Sequence, residues 1–108
     1  MKKLLKEINL CVSHELERAN AQFPLFHSNY EAYGVLKEEL MKMKYEENMV
    51  EISTDDQYWN AIRSNMSKDA MEGYLSDVQK HAENCAAGAC QVAAMAQKAI
   101  DSMNQEQR

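Results

Sequence analysis

Turn-making residues are scarce in this sequence. It has one proline and three glycines in 108 residues, a composition that leans towards long helices joined by few turns. It contains no Gly-rich phosphate loop, no GxSxG elbow, no HExxH and no HxxxH, so covalent catalysis and a paired-histidine metal site lack sequence support. No apolar run approaches the ~20 residues that a membrane-spanning helix needs. The opening MKKLLKEINL also meets charge too early for the apolar segment of a signal peptide. Basic residues are in deficit: 12 Lys and Arg face 17 Asp and Glu, and the formal net charge of −5 has the wrong sign for gripping a nucleic-acid duplex. A nucleotide held through a cation is compatible with that sign. The three cysteines, Cys11, Cys85 and Cys90, are an odd number. Cys85 and Cys90 fall about 140° apart around a helix, so the set reads as apolar thiols in a reduced, cytoplasmic setting rather than as ligands of one ion.

What is present points to a single all-α domain spanning residues 1–108, large enough for one modest core. Leu5, Ile8, Val12, Leu16 and Ala19 recur at steps of three and four, which predicts an amphipathic helix over residues 4–21. The segment AQFPLFHS interrupts it, because Pro24 biases Phe23 away from helical dihedrals. Ser28 followed by Glu31 forms a capping box, with the glutamate reaching back to the cap's own amide. A second helix is therefore expected from Ser28 to about Asn48, with Tyr33, Leu36, Leu40 and Met43 as its buried stripe.

The stretch STDDQYWNAIRSNM predicts a separate shorter helix, capped by Ser53 or Thr54 and carrying Trp59, Ile62 and Met66 at helical spacing. From Ser67 to about Met103 the pattern is helical again, with Gly73 as a potential break. Small side chains at Ala86, Ala89, Ala93 and Ala96 would let another helix approach closely, at the centre of a bundle or at a subunit seam. The closing DSMNQEQR is polar and expected to fray. Tyr58 and Trp59 read as core, with a partner-facing anchor as the alternative. His14, His27 and His81 read as surface or loop residues, and the eight methionines as gap-fillers, with an adaptable partner surface as the alternative.

The run FPLFHSNYEAYGVLKEEL, joined later by QVAAMAQKAID, resembles the MazG-like branch of the all-α nucleoside triphosphate pyrophosphohydrolases. The likeness covers the first helix to about Met43 and again about Gly88 to Asp101, whereas residues 44–82 match nothing in that pattern. It implies a helical bundle, usually dimeric or tetrameric, in which magnesium held by carboxylates from two helices cleaves a nucleoside triphosphate to monophosphate and pyrophosphate. The family's signature is Glu-Glu-x-x-Glu on one helix and Glu-x-x-Asp on a later one. Carboxylates at such spacing leave one side of a helix together, and hard oxygen donors suit magnesium.

Carried over position by position, the first motif places metal ligands at Glu38 and Glu39 and then meets Lys42, while the second falls on Gly88 and Gln91. Lys42 lies four residues after Glu38 and three after Glu39, where an ammonium repels a divalent ion. Glu38 and Glu39 are thus candidate metal ligands or a solvated face. Lys42 and Gln91 are candidate ligand-binding positions. Glu31 is a helix cap, or an outer-shell carboxylate of such a site. Glu46, Glu47, Glu51, Asp55, Asp56 and Glu83 are available as replacement ligands. Two functions follow as expectations. One is a non-catalytic or weakly active module that binds a nucleotide or a protein, of the regulatory kind often encoded by phages and mobile elements. The other is a magnesium-dependent pyrophosphohydrolase; a homodimer is expected for either.

Overall fold

A computed structural model describes residues 1–106. Among them every regular element is helical: α1 (Lys2–Gln22), α2 (Asn29–Glu51), a π-helical segment (Ile52–Tyr58), α3 (Trp59–Arg63) and α4 (Lys68–Glu106). No described helix is long and apolar enough to cross a membrane. The chain divides into two compact units. One comprises Met1–Met41 with the described residues from Gly88 onward, and the other comprises Lys42–Ala87.

Local chemistry sets the helix ends. α1 stops where Phe23 turns extended (φ −139°, ψ 100°), the conformation that the following Pro24 demands. Ser28 caps α2, its Oγ accepting the Glu31 amide at 3.2 Å. The return arm of the box lands one residue earlier than expected, because the Glu31 carboxylate accepts from the His27 amide at 3.4 Å rather than from Ser28.

The expected break before Ser53 does not occur. No glycine or proline lies between Gly34 and Gly73, so nothing stops the turn-by-turn growth of the helix. The backbone instead widens into π geometry with Ser53 buried inside it. The run ends at a Schellman motif: Asn65 takes a positive φ of 53°, its amide donates to the Ile62 carbonyl, and the Met66 amide donates to Ala61. Ser67 then caps α4 through the Ala70 amide at 3.2 Å. Gly73 does not break α4, which runs on through the segment expected to fray as far as Glu106; Gln107 and Arg108 lie outside the described residues.

In the first unit the covered apolar residues are Phe26, Ala32 and Ala94. Phe26 is the anchor of the FPLF loop. Its amide donates to Ser102 Oγ at 2.8 Å, Ser102 donates to the Lys98 carbonyl at 2.8 Å, and the Lys98 ammonium lies 4.7 Å from the ring centroid. Lys98 is only 5% exposed, so that cation–π contact forms away from water. The covered line of α4 is Ala94, Lys98 and Ser102 at steps of four, whereas Ala86, Ala89 and Ala93 stay exposed. The phase of α4 thus differs from the one its alanines suggested.

In the second unit Ala61 and Ser53 are buried, and His81 Nδ1 donates to Glu46 Oε2 at 2.6 Å, tying α4 to α2. In each unit several residues expected inside are outside or only half-covered. Tyr33 is 66% exposed and Trp59 53%, with Ile62 and Met66 also exposed, while Leu36, Leu40 and Met43 are half-buried. The reason is the size of what is covered. Apart from Phe26 the fully covered apolar residues are alanines, so little large apolar surface is enclosed in either unit.

Candidate functional site

The carboxylate pair sits in the middle of α2, in the first unit: Glu38 is exposed and Glu39 half-buried, with its Oε2 shielded from solvent. Lys42, one turn further along the same helix, is exposed. A second cation comes from α1. Arg18 binds Glu15 at 2.8 Å, and that hydrogen bond and the charge of Glu15 hold its guanidinium above the ordinary value, with a further contribution from the charge of Glu39. Arg18 is therefore within electrostatic reach of Glu39, a proximity that nothing in the spacing of the sequence announces.

The other positions disperse. Glu31 is engaged at the cap of α2, by its own amide and by its carboxylate. Gln91 is half-buried on α4, and Gly88, its companion in the second motif, is buried. Of the replacement ligands, Glu46 accepts from His81 and Glu83 accepts from Gln79 at 3.4 Å, while Glu47, Glu51, Asp55 and Asp56 are exposed. Among the described residues no three His, Cys, Asp or Glu side chains are grouped so as to hold a metal ion. At the positions carried over from the family pattern, two carboxylates followed by a lysine on α2 and a glycine and an amide on α4 supply few of the hard anionic oxygens that magnesium takes.

One feature escaped the sequence reading. His81 is not a surface residue but half of a part-buried pair with Glu46, 35 positions away; no local pattern encodes so distant a partner. Of the cysteines expected as apolar thiols, Cys11 is exposed and Cys85 and Cys90 are half-buried; burial pushes the Cys90 thiol up, with smaller contributions from Cys11 and Glu15. A thiol so held is poorly ionised and behaves as an apolar side chain rather than as a nucleophile. Beside the anchor, Phe23, Pro24, Leu25, Phe26 and His27 line a shallow, mostly apolar hollow of about 430 Å³.

Comparison with protein-family models, with curated proteins and with solved structures found no match to this chain.

Proposed function

We propose that this chain is a binding module on a MazG-like helical scaffold with a decayed metal site, acting as a homodimer through protein contacts rather than by turning over nucleotides. The observation that carries this reading is the distribution of apolar side chains. Phe26 and three alanines are covered, while Leu4, Leu5, Tyr33, Trp59 and Ile62 face outward. Aromatic and aliphatic groups outside and alanines inside are what a partner surface needs and what a free-standing core does not.

The charges around the acidic pair support the non-catalytic half of the reading. Lys42 stands where the family pattern has a third carboxylate, and Arg18 lies within electrostatic reach of Glu39. Each cation lowers the negative potential that would draw a divalent ion. A regulatory role, of the sort played by phage and mobile-element proteins resembling this branch, fits a scaffold kept for binding.

One assay separates this reading from magnesium-dependent hydrolysis with Glu38 and Glu39 as ligands. Purified protein is incubated with canonical and modified nucleoside triphosphates and magnesium or manganese, and pyrophosphate is measured. No release above the protein-free control is expected. Release that is lost in Glu38→Gln overturns the proposal.

A further inference from the structure

Two cysteines of the first unit stand on different helices at matching height. Both α1 and α4 run towards the FPLF loop: α1 ends at Gln22, just before it, and α4 meets it where Ser102 Oγ accepts the Phe26 amide at 2.8 Å. Cys11 lies twelve residues before Phe23, the cap of α1, and Cys90 lies twelve residues before Ser102. At about 1.5 Å per residue, each thiol sits about 18 Å down its helix from the loop.

The faces agree as well as the heights. On α4, Cys90 is half-buried and precedes buried Ala94 by one turn. On α1, Cys11 precedes half-buried Glu15 by one turn. The charges of Cys11 and Glu15 both act on the Cys90 thiol, so this side of α1 lies within electrostatic reach of Cys90. Cys85 is placed differently: it leaves α4 about 140° around from Cys90 and belongs to the second unit. Of the three thiols, Cys11 is the exposed one, open to reagents in solution.

We infer that Cys11 and Cys90 are a redox pair, closing into an intramolecular disulfide that staples α1 to α4 when the chain meets a low-molecular-weight disulfide. Cys11 reacts first. It loses its proton to solvent, and its thiolate attacks one sulfur of the oxidant. The oxidant's S–S bond breaks, one half departing as a thiolate while the other stays on Cys11. Cys90 then loses its proton, attacks the Cys11 sulfur and expels the second half. Two protein thiols are oxidised, one small disulfide is reduced to two thiols, and the two protons pass through solvent to the departing thiolates. Burial leaves Cys90 poorly ionised and quiet towards reagents in solution, so closing is the slower step. It proceeds because the mixed disulfide is held beside Cys90, an intramolecular encounter at high effective concentration. The bond joins residues far apart in sequence, which restricts the unfolded chain and stabilises the first unit.

The test incubates the full chain with oxidised glutathione, in buffer and in urea, then blocks the remaining thiols with iodoacetamide and reads intact mass and linked peptides. In buffer the product is expected to have lost two hydrogens, to run as a single chain under non-reducing denaturing conditions, and to carry one block, at Cys85. Cys85→Ser keeps the bond, Cys90→Ser stops at glutathione on Cys11, and Cys11→Ser forms no bond. Closing is expected to be roughly tenfold faster in buffer than in urea, where the register of the two helices is lost. The urea midpoint of oxidised Cys85→Ser is expected above that of its reduced form. A product that keeps glutathione on Cys11 and an open Cys90 overturns the pair, and so does a bond from Cys11 to Cys85 or to a second chain. Closing as fast in urea as in buffer, or an oxidised midpoint no higher than the reduced one, overturns it as well.

Discussion

The two units of this chain are held by different chemistry. In the first, an aromatic ring closes the structure: Phe26 is covered, its amide is bound by Ser102, and its face receives the Lys98 ammonium. In the second, a part-buried hydrogen bond between His81 and Glu46 joins α4 to α2, and Ala61 and Ser53 are buried. The contrast teaches that α-helices of similar composition need not bury their aromatics. A ring is enclosed where a loop can fold it inward, as Pro24 makes the FPLF segment do. A ring on an uninterrupted helix, such as Trp59, goes where the helix phase points it. The first unit therefore gains stability from its own anchor, and both units leave large apolar groups outside, Leu4, Leu5 and Tyr33 in the first and Trp59 and Ile62 in the second.

Removing the anchor should have the largest effect. Phe26→Ala is expected to cost about 3–5 kcal/mol in urea-induced unfolding, since it removes a ring and leaves a void beneath the loop. If it cost no more than a surface substitution, the ring would not be what holds the first unit. The second unit should respond to its His81–Glu46 hydrogen bond on a smaller scale. His81→Ala is expected to lose about 1–2 kcal/mol, and a double-mutant cycle with Glu46→Ala should show the two residues coupled. Additive losses in that cycle would mean that the 2.6 Å contact contributes nothing to the second unit. The smallest effect compares the units directly. Gly34 and Gly73 are helical, one in each unit, and an added methyl group at either meets no atom within 4 Å. Gly34→Ala and Gly73→Ala should each raise stability by about 0.5–1 kcal/mol, because alanine loses less conformational freedom on entering a helix. A loss at only one of them would show that glycine to be needed by something outside its own helix.

The helices themselves were legible in the sequence. The capping serines Ser28 and Ser67, the Phe23–Pro24 stop and the stepwise apolar repeats are local signals, and each acts within a turn or two of its own position. Where the reading went astray, one local signal was weighed without its neighbours: Ser53 and Thr54 resembled a cap, but a cap forms only where a helix has a reason to begin. The acidic pair at Glu38 and Glu39 was equally legible, and so was the cation at Lys42, because all three lie on one helix.

By itself, then, the sequence determined the helical class and the helix ends marked by Phe23–Pro24, Ser28 and Ser67, since backbone hydrogen bonding and capping are settled among residues a few positions apart. Only the tertiary structure decided which faces were covered. The inward turn of Phe26, the approach of Arg18 to the charge of Glu39, the His81–Glu46 pair and the outward face of Trp59 all depend on the rotation of one helix against another. That rotation is set by close packing around small side chains, a property of pairs of helices that neither helix carries alone.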